Sequence, residues 1–564
     1  MKLWIFFFFC YSILAFPSFA AHFFVSTDAS PTGDGSFTKP WTLQNALNHP
    51  AALKPSDTVW IKGGIYLNDY DPQTSFVCKT NGAQNAPIIF RNYNHERVIL
   101  DGNKTYTMYL SLGVCSHTWF WGIEVTNTFS TGRNQDIFGG VTCTAENMKF
   151  INMIIHDTGH GLDVWKSAKD NEIYGCIIYH IGNNLNNNGN LEGHGHGMYM
   201  QNDTIGTRLI HNNIVFSTYG FGIRIWQTTT TAALGNFDIQ KNIVFNGGAA
   251  SENNGGVGNN SRTHNFFLVS NGANNPLRNT SVKHNCTFAG TNTPRPPVNA
   301  FGLNAGLKNV TIDSNFLTCQ TRLGLSNTPI FESTFKGNKV LAGIPAVYGY
   351  YLWGFLQTDF PENEFLSELP TSGVDFFIFP NKYDPERSHL AIYNWASFDT
   401  VYILANSANL KQGDTYELIN VMDYHNDIIE AKVGVDGMIA IPMIGHSAQA
   451  AIASIKMPVS QFPQFGSFVL RKTAELQTSV FEAVDKYNLE YIYPNPSDGF
   501  INLSNTKDLH EIQILNSNGH TVYQMKLDNS LPTVQLDLSY LPKGSYIAKL
   551  RKESTNKLIK FSLF

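Results

Sequence analysis

One short pattern returns again and again between Ala86 and Leu341. Phe150-Ile151-Asn152-Met153-Ile154-Ile155, Ile173-Tyr174-Gly175-Cys176-Ile177-Ile178 and Ile210-His211-Asn212-Asn213-Ile214-Val215 each set two apolar pieces around a polar corner. Ile239-Gln240-Lys241-Asn242-Ile243-Val244, Val282-Lys283-His284-Asn285-Cys286-Thr287 and Ile312-Asp313-Ser314-Asn315-Phe316-Leu317 continue the series. The shortest step, Phe150 to Ile173, is 23 residues, the length of one coil of a β-solenoid. Longer steps are the same coil with loops inserted. No rung can bury its apolar face alone; stacking at roughly 4.8 Å makes one continuous core. Asn213, Asn242, Asn285 and Asn315 fall in register. Stacked Asn amides at a corner can hydrogen-bond up and down the coil.

At 564 residues the chain is too long for one ordinary core, so several domains are expected. Charged residues make up 15%, aromatics 13%, and there are 46 glycines, a β-rich and turn-rich composition. A formal net charge of −5 with no basic run argues against nucleic acid as a partner. Residues 1–20 read as a signal peptide: Lys2, a short apolar run from Leu3 to Ala15, then Ser18-Phe19-Ala20. That run is too short to span a bilayer comfortably, and no later stretch is apolar enough. No transmembrane segment is expected after signal removal. Of seven cysteines, Cys10 goes with the signal. Cys78, Cys115, Cys143, Cys176, Cys286 and Cys319 remain, an even count that permits disulfides in an exported chain. Cys143 falls on an inward strand position and reads as a buried free thiol.

The chain begins its folded part with His22-Phe23-Phe24-Val25-Ser26, then Lys39-Pro40-Trp41-Thr42-Leu43-Gln44, then Ser56-Asp57-Thr58-Val59-Trp60-Ile61-Lys62-Gly63-Gly64-Ile65-Tyr66. This strand, helix and strand resemble the N-terminal cap of secreted, pectate-lyase-like right-handed parallel β-helix proteins, with Ser56 where Gly is usual. The cap covers the open end of the coil, whose core would otherwise meet water. The fold expected is all-β: a right-handed parallel β-helix over 21–341, then an accessory β-sandwich over 342–472. The sandwich is read from short strands such as Leu390-Ala391-Ile392-Tyr393-Asn394-Trp395 and Phe465-Gly466-Ser467-Phe468-Val469-Leu470. A polar linker, 473–490, follows. The segment 491–564 opens with Tyr491-Ile492-Tyr493-Pro494-Asn495-Pro496-Ser497-Asp498-Gly499 and carries Leu541-Pro542-Lys543-Gly544-Ser545-Tyr546 near its end. It closely resembles the C-terminal sorting domain of the type IX secretion system of Bacteroidota. That resemblance implies the secretion machinery as a partner, and release from the cell or attachment at its outer surface.

The chemistry is read from three rungs. In Gly161-Leu162-Asp163-Val164-Trp165, Gly197-Met198-Tyr199-Met200-Gln201 and Gly222-Ile223-Arg224-Ile225-Trp226, apolar residues alternate with polar or aromatic ones. That is the period of a strand with one buried face. Asp163, Tyr199 and Arg224 then point outward in one solvent-facing line, followed by Trp165, Gln201 and Trp226. His160 and His196 each precede the Gly that opens a rung, and His194 lies two residues before His196. Asp157 and His180 align at the end of the partner strand and are expected at the same edge. The insertion from Gly182 to Gly195 is placed to wall a groove.

Such a stripe suits a polysaccharide, since every rung offers a subsite, with Trp165 and Trp226 stacking on sugar faces and Gln201 and His194 beside them. β-Elimination on a uronate polymer needs a cation or Ca2+ at the carboxylate, a base and an acid. Arg224 supplies the cation, His196 the base, and Tyr199 either proton-transfer role, its phenolate favoured by the neighbouring Arg. Lys166 stands in reserve, as does His160 among the candidate histidines; Asp163 orients a histidine or joins a Ca2+ site. Glycoside hydrolysis instead needs two carboxyl groups, Asp163 with Asp157, Glu192 or Asp203. Gly195-His196-Gly197 and Arg224-Ile225 faintly resemble the polygalacturonase pattern, whose paired aspartates are missing here. The mixed column of carboxylate, phenol and guanidinium favours the lyase. A non-catalytic glycan-binding adhesin would keep the tryptophans without needing the histidines.

Overall fold

In the computed structural model the described residues are 20–473 and 492–563, less a number of internal segments. The longest of these are 69–74, 186–190, 227–233, 252–263, 270–274, 290–298, 324–329, 342–355 and 528–532. Residues 1–19 of the expected signal peptide and residues 474–490 of the expected linker lie outside them.

Three parallel sheets wind into a right-handed β-helix. Each coil places one strand in each sheet, as in Lys149–Ile151 (sheet A), Ile154–His156 (sheet B) and Leu162–Val164 (sheet C). Sheets A, B and C contain 13, 11 and 9 strands. The corner from A to B is sharp because its turning residue has positive φ: Asn152, Gly175, Asn212, Lys241, His284, Ser314 and Gly337 all do. The next position holds the Asn ladder. Asn213 Nδ2 donates to Asn242 Oδ1 at 2.9 Å, Asn242 to Asn285 at 2.9 Å and Asn285 to Asn315 at 2.9 Å. Two further members, Asn338 and Asn363, extend it at 2.8 Å each. Inside, like side chains stack rung on rung: Phe90 on Phe120 at 5.5 Å, and Phe120 on Phe150 at 6.3 Å.

The cap closes the first coil. Leu43–Leu47 is a short helix that buries Leu43, Ala46 and Leu47, with Thr42 capping it. Gln44 bonds both the carbonyl and the amide of Val77, at 2.9 and 3.1 Å, and so satisfies the first edge of sheet C. At the other end sheet B takes Glu364–Leu366 as its last strand, beyond the expected boundary at 341. The repeat therefore resumes after the break at 342–355.

The following strands form a five-stranded antiparallel sheet, Val374–Pro380, Arg387–Asn394, Phe465–Thr473, Thr415–Asn420 and Ile428–Lys432, with a two-stranded partner, Thr400–Leu404 and Met438–Pro442. Leu390, Ile392, Val401, Ile439, Ile441 and Phe468 fill the space between them. The other face of the five-stranded sheet lies on sheet B. Tyr179, Phe216, Phe245 and Phe288 pack there against Tyr393, Trp395 and Phe465. Each of these large side chains contributes about 1.5–3 kcal/mol when fully removed from water, so this union is an extension of the core. The C-terminal unit is a separate small sandwich. A three-stranded and a four-stranded sheet enclose Ile501, Leu503, Ile512, Ile514, Leu536, Leu550 and Phe561.

Cys78, Cys115, Cys143, Cys176 and Cys286 are buried free thiols. The disulfides that an even count permits are therefore not formed by these five; Cys319 lies outside the described residues. Burial pushes the Cys143 thiol up to about 12, which keeps it protonated and inert.

Candidate active site on sheet C

The register puts Asp163 beside Tyr199 and Tyr199 beside Arg224 on adjacent strands. Their neighbours Leu162, Val164, Met198, Met200, Ile223 and Ile225 point into the core. One correction concerns exposure. Asp163 and Tyr199 are only 8% and 6% exposed. They leave the core, but a layer of rings shields them. The Tyr199 ring meets His196 at 5.4 Å, Trp165 at 5.7 Å and Trp226 at 6.4 Å.

Around that column the groups touch one another. Arg224 Nη1 donates to His196 Nε2 at 3.2 Å, so Nε2 is the unprotonated nitrogen of that ring. The Arg224 guanidinium lies 4.1 Å over Trp226 and 4.7 Å over Phe221. His160 Nδ1 sits 3.1 Å from an Asp163 carboxylate oxygen. Burial disfavours a charge on His160, but the Asp163 carboxylate outweighs it and its pKa is raised. The His160, His194 and His196 rings lie within 5.1–6.0 Å of each other. His194 comes from the Gly182–Gly195 insertion, a hairpin of Asn183–Leu185 and Leu191–His194. Glycines allow the crowding: a Cβ on Gly195 would fall 2.5 Å from the Gly159 carbonyl.

A second correction concerns Tyr199. Burial raises its pKa, and Gln201 and Arg224 only partly oppose this. Arg224 therefore does not make a phenolate here; the hydroxyl keeps its proton. Gln201, expected to face substrate, instead donates its amide to the Tyr199 oxygen at 2.9 Å and is buried. Trp165 stands at the rim, 38% exposed. Lys166 lies in the exposed turn after it, and no hydrogen bond or ion pair ties it to the cluster among the described residues.

Asp157 and His180 do not join this site. Both sit at positive-φ corners; the Asp157 side chain meets buried Arg133, and the His180 ring lies 3.9 Å from Asp157 and packs on Tyr179. Asp157 ion-pairs with Arg133 and bonds His156 at 2.8 Å. Its other partner is the backbone amide of Ile452 in the sandwich, at 2.8 Å. Asp203 is spent on the Ile205 amide at 2.8 Å, and the Glu192 side chain lies outside the described residues. Among the described residues no three His, Cys, Asp or Glu side chains come together as a metal-holding group.

Two participants escape sequence reasoning. Asp136 is exposed, its field reaches His160, and Asn183 Nδ2 lies 3.5 Å from it. Arg208 is wholly buried and donates to the carbonyls of Gln201 and Trp165 at 2.8 and 3.2 Å. It fixes the corner from which both side chains leave. Its only signal in the sequence is a charge beside the apolar pair Leu209-Ile210.

Residues 23–160 match the family model described as Pel9A-like, right handed beta helix region. Residues 491–562 match the secretion system C-terminal sorting domain. The chain ends in a secretion sorting domain. Such a tail marks a type IX secretion client, delivered to the cell surface or beyond. No helix among the described residues is long and apolar enough to cross a membrane. No curated protein matches the chain in sequence. Similar solved structures include the pectate lyase Pel9A, 15% identical over 57% of this chain and 80% of that one, with TM-score 0.39. A rhamnogalacturonan lyase is 13% identical over 61% and 87%, TM-score 0.45. A lacto-N-biosidase from Eubacterium ramulus is 11% identical over 62% and 67%, TM-score 0.39.

Proposed function

We propose that this exported protein is a polysaccharide lyase that cleaves an acidic, uronate-containing polymer by β-elimination on sheet C. The observation that carries this reading is the contact of three unlike groups from adjacent rungs: the Arg224 guanidinium, the His196 imidazole and the Tyr199 phenol. Arg224 binds the uronate carboxylate and stabilises the charge that develops when the neighbouring carbon is deprotonated. His196 Nε2, which carries a lone pair, takes the C5 proton once Arg224 turns to the substrate. The C4–O4 bond breaks, a C4–C5 double bond forms, and Tyr199 gives its proton to the leaving oxygen. Gln201 holds that phenol in place. His160 and Asp163 form a charged pair one rung away that orients the imidazole cluster. Trp165 and Trp226 flank the column as surfaces for sugar rings. The Pel9A-like match supports a helix of this kind but stops at residue 160, so these roles rest on geometry.

Hydrolysis is the second reading, and Asp136 is the observation that favours it, as a partner for Asp163. Digestion of a panel of uronate polysaccharides, followed by absorbance and mass spectrometry, tests both. Elimination yields unsaturated, ultraviolet-absorbing ends one water lighter than hydrolysed ends. New reducing ends without that chromophore overturn the lyase in favour of the hydrolase. Retained binding without cleavage makes the protein an adhesin.

A further inference from the structure

One sizeable cavity lies away from sheet C. It holds about 590 Å³ between the first coils of sheets A and B and the edge of the antiparallel domain, well within the size of small-ligand sites. Its floor carries a stack built by register: Trp60, Arg91 and Trp121 occupy the same position on three successive strands of sheet A. The Arg91 guanidinium is clamped between the two indoles, 4.0 Å from the Trp121 ring and 5.1 Å from Trp60. This fixes its plane without using its hydrogen-bond donors. Its Nε is buried with no hydrogen-bond partner among the described residues. Arg387, on the roof, likewise has a buried Nε without a partner. By contrast, Arg97 in the same cavity is fully engaged by Glu124, with two bonds of 2.7 Å.

We propose that this cleft is a second saccharide site and that Arg91 anchors the carboxylate of a single uronate unit in it. A planar guanidinium with unspent in-plane donors matches a carboxylate fork. Glu96, Asp384 and Glu386 also line the cleft; they accept hydrogens from sugar hydroxyls and disfavour a dianion such as phosphate. Tyr383 closes the aromatic wall, 5.6 Å from Trp121. The site faces away from the Arg224 column and stands whether or not that column is catalytic. Its use would be to hold polymer, or released product, apart from the point of cleavage.

The test is calorimetric titration of the full-length exported protein with galacturonate, glucuronate and mannuronate, each beside its neutral hexose, acetate and inorganic phosphate. Arg224→Gln serves as the background, so that sheet C contributes no carboxylate binding. At least one uronate is expected to bind ten times more tightly than its hexose and than acetate or phosphate. Arg91→Met, which keeps the stem between the indoles, is expected to abolish this binding with the circular dichroism spectrum unchanged. Hydrogen exchange gives a check that needs no variant: the uronate is expected to protect segments 88–97 and 380–388. Absence of uronate binding, equal binding of the hexose, acetate or phosphate, binding that survives Arg91→Met, or protection confined to 194–226 would each overturn the proposal. A loss of cleavage in Arg224→Gln concerns the other site and leaves this result readable.

Discussion

Replacing Asn285 with Ala is the sharpest test of what holds the coil together. Asn285 is fully buried. Its Oδ1 accepts from the Asn242 amide at 3.0 Å and from Asn242 Nδ2 at 2.9 Å. Its Nδ2 donates to the Ile239 carbonyl at 3.0 Å and to Asn315 Oδ1 at 2.9 Å. Alanine leaves the Asn242 backbone N–H buried without an acceptor, which costs about 1–3 kcal/mol. The other groups keep one partner each: Asn242 Nδ2 still reaches the Ile210 carbonyl, and Asn315 Oδ1 still accepts from the amide of residue 285. Their losses are ordinary net hydrogen bonds of about 1 kcal/mol each. The expected destabilisation is roughly 3–5 kcal/mol, a large share of the 5–15 kcal/mol typical of a folded domain. Asn363 ends the ladder and is half-buried, so water can replace its bonds, and Asn363→Ala should cost about 1 kcal/mol. Urea unfolding followed by far-ultraviolet circular dichroism measures both. Equal midpoints for the two variants, or a cost below about 1 kcal/mol for Asn285→Ala, would refute the ladder as a source of stability.

Tyr199→Phe is expected to lower kcat by about 10²–10⁴ with KM little changed, the loss that accompanies removal of a general acid; a fall of less than tenfold removes Tyr199 from that role. Trp226→Ala should raise KM about tenfold and leave kcat within a few-fold, measured by the same absorbance assay. Stability should fall on the alkaline side through His156. Burial opposes its charge, but bonds to Asp157 and Glu124 win and lift its pKa to about 9. A raised histidine stabilises fully below its unfolded value near ~6.5 and loses that contribution as pH climbs through about 9, at most roughly 3 kcal/mol. Tm should therefore drop between pH 6.5 and 9.5, and His156→Gln should flatten the slope; an unchanged slope would sink the assignment. Deleting 491–564 should leave the protein inside a type IX-competent host, as read by cell fractionation, and its arrival at the surface would contradict the sorting role.

The coil was legible in the sequence because a solenoid repeats its constraints. From Asn212 onward each such corner pairs one positive-φ residue with one amide, and Asn212-Asn213, Lys241-Asn242 and His284-Asn285 display that pair openly. Gly337-Asn338 shows it too, but the break at 342–355 hides the last member, Asn363. Period-two alternation was enough to line up Asp163, Tyr199 and Arg224. It was not enough to say how deep they lie, because depth depends on rings from neighbouring rungs and on the hairpin at 183–194. Nor could it separate Asp157 and His180 from the other histidines. Their backbone turns at a positive φ, and the Asp157 partners Arg133 and Ile452 are distant in sequence.

The antiparallel domain bears on which face of the helix the proposed activity would use. It covers sheet B with an aromatic interface continuous with the core, and its segment around Tyr383 reaches onto sheet A. Lys382 there pairs with Glu172, and Tyr383 bonds the same carboxylate at 2.7 Å. Sheet B suits this burial, because its outward residues there are chiefly Ile, Phe and Tyr. Sheet C carries the column of Asp163, Tyr199 and Arg224, and the insertions beside it in the sequence are long and rich in glycine and asparagine. The proposed cleavage of a long chain needs a run of rungs that this domain does not cover, and its docking on sheet B favours sheet C for that role.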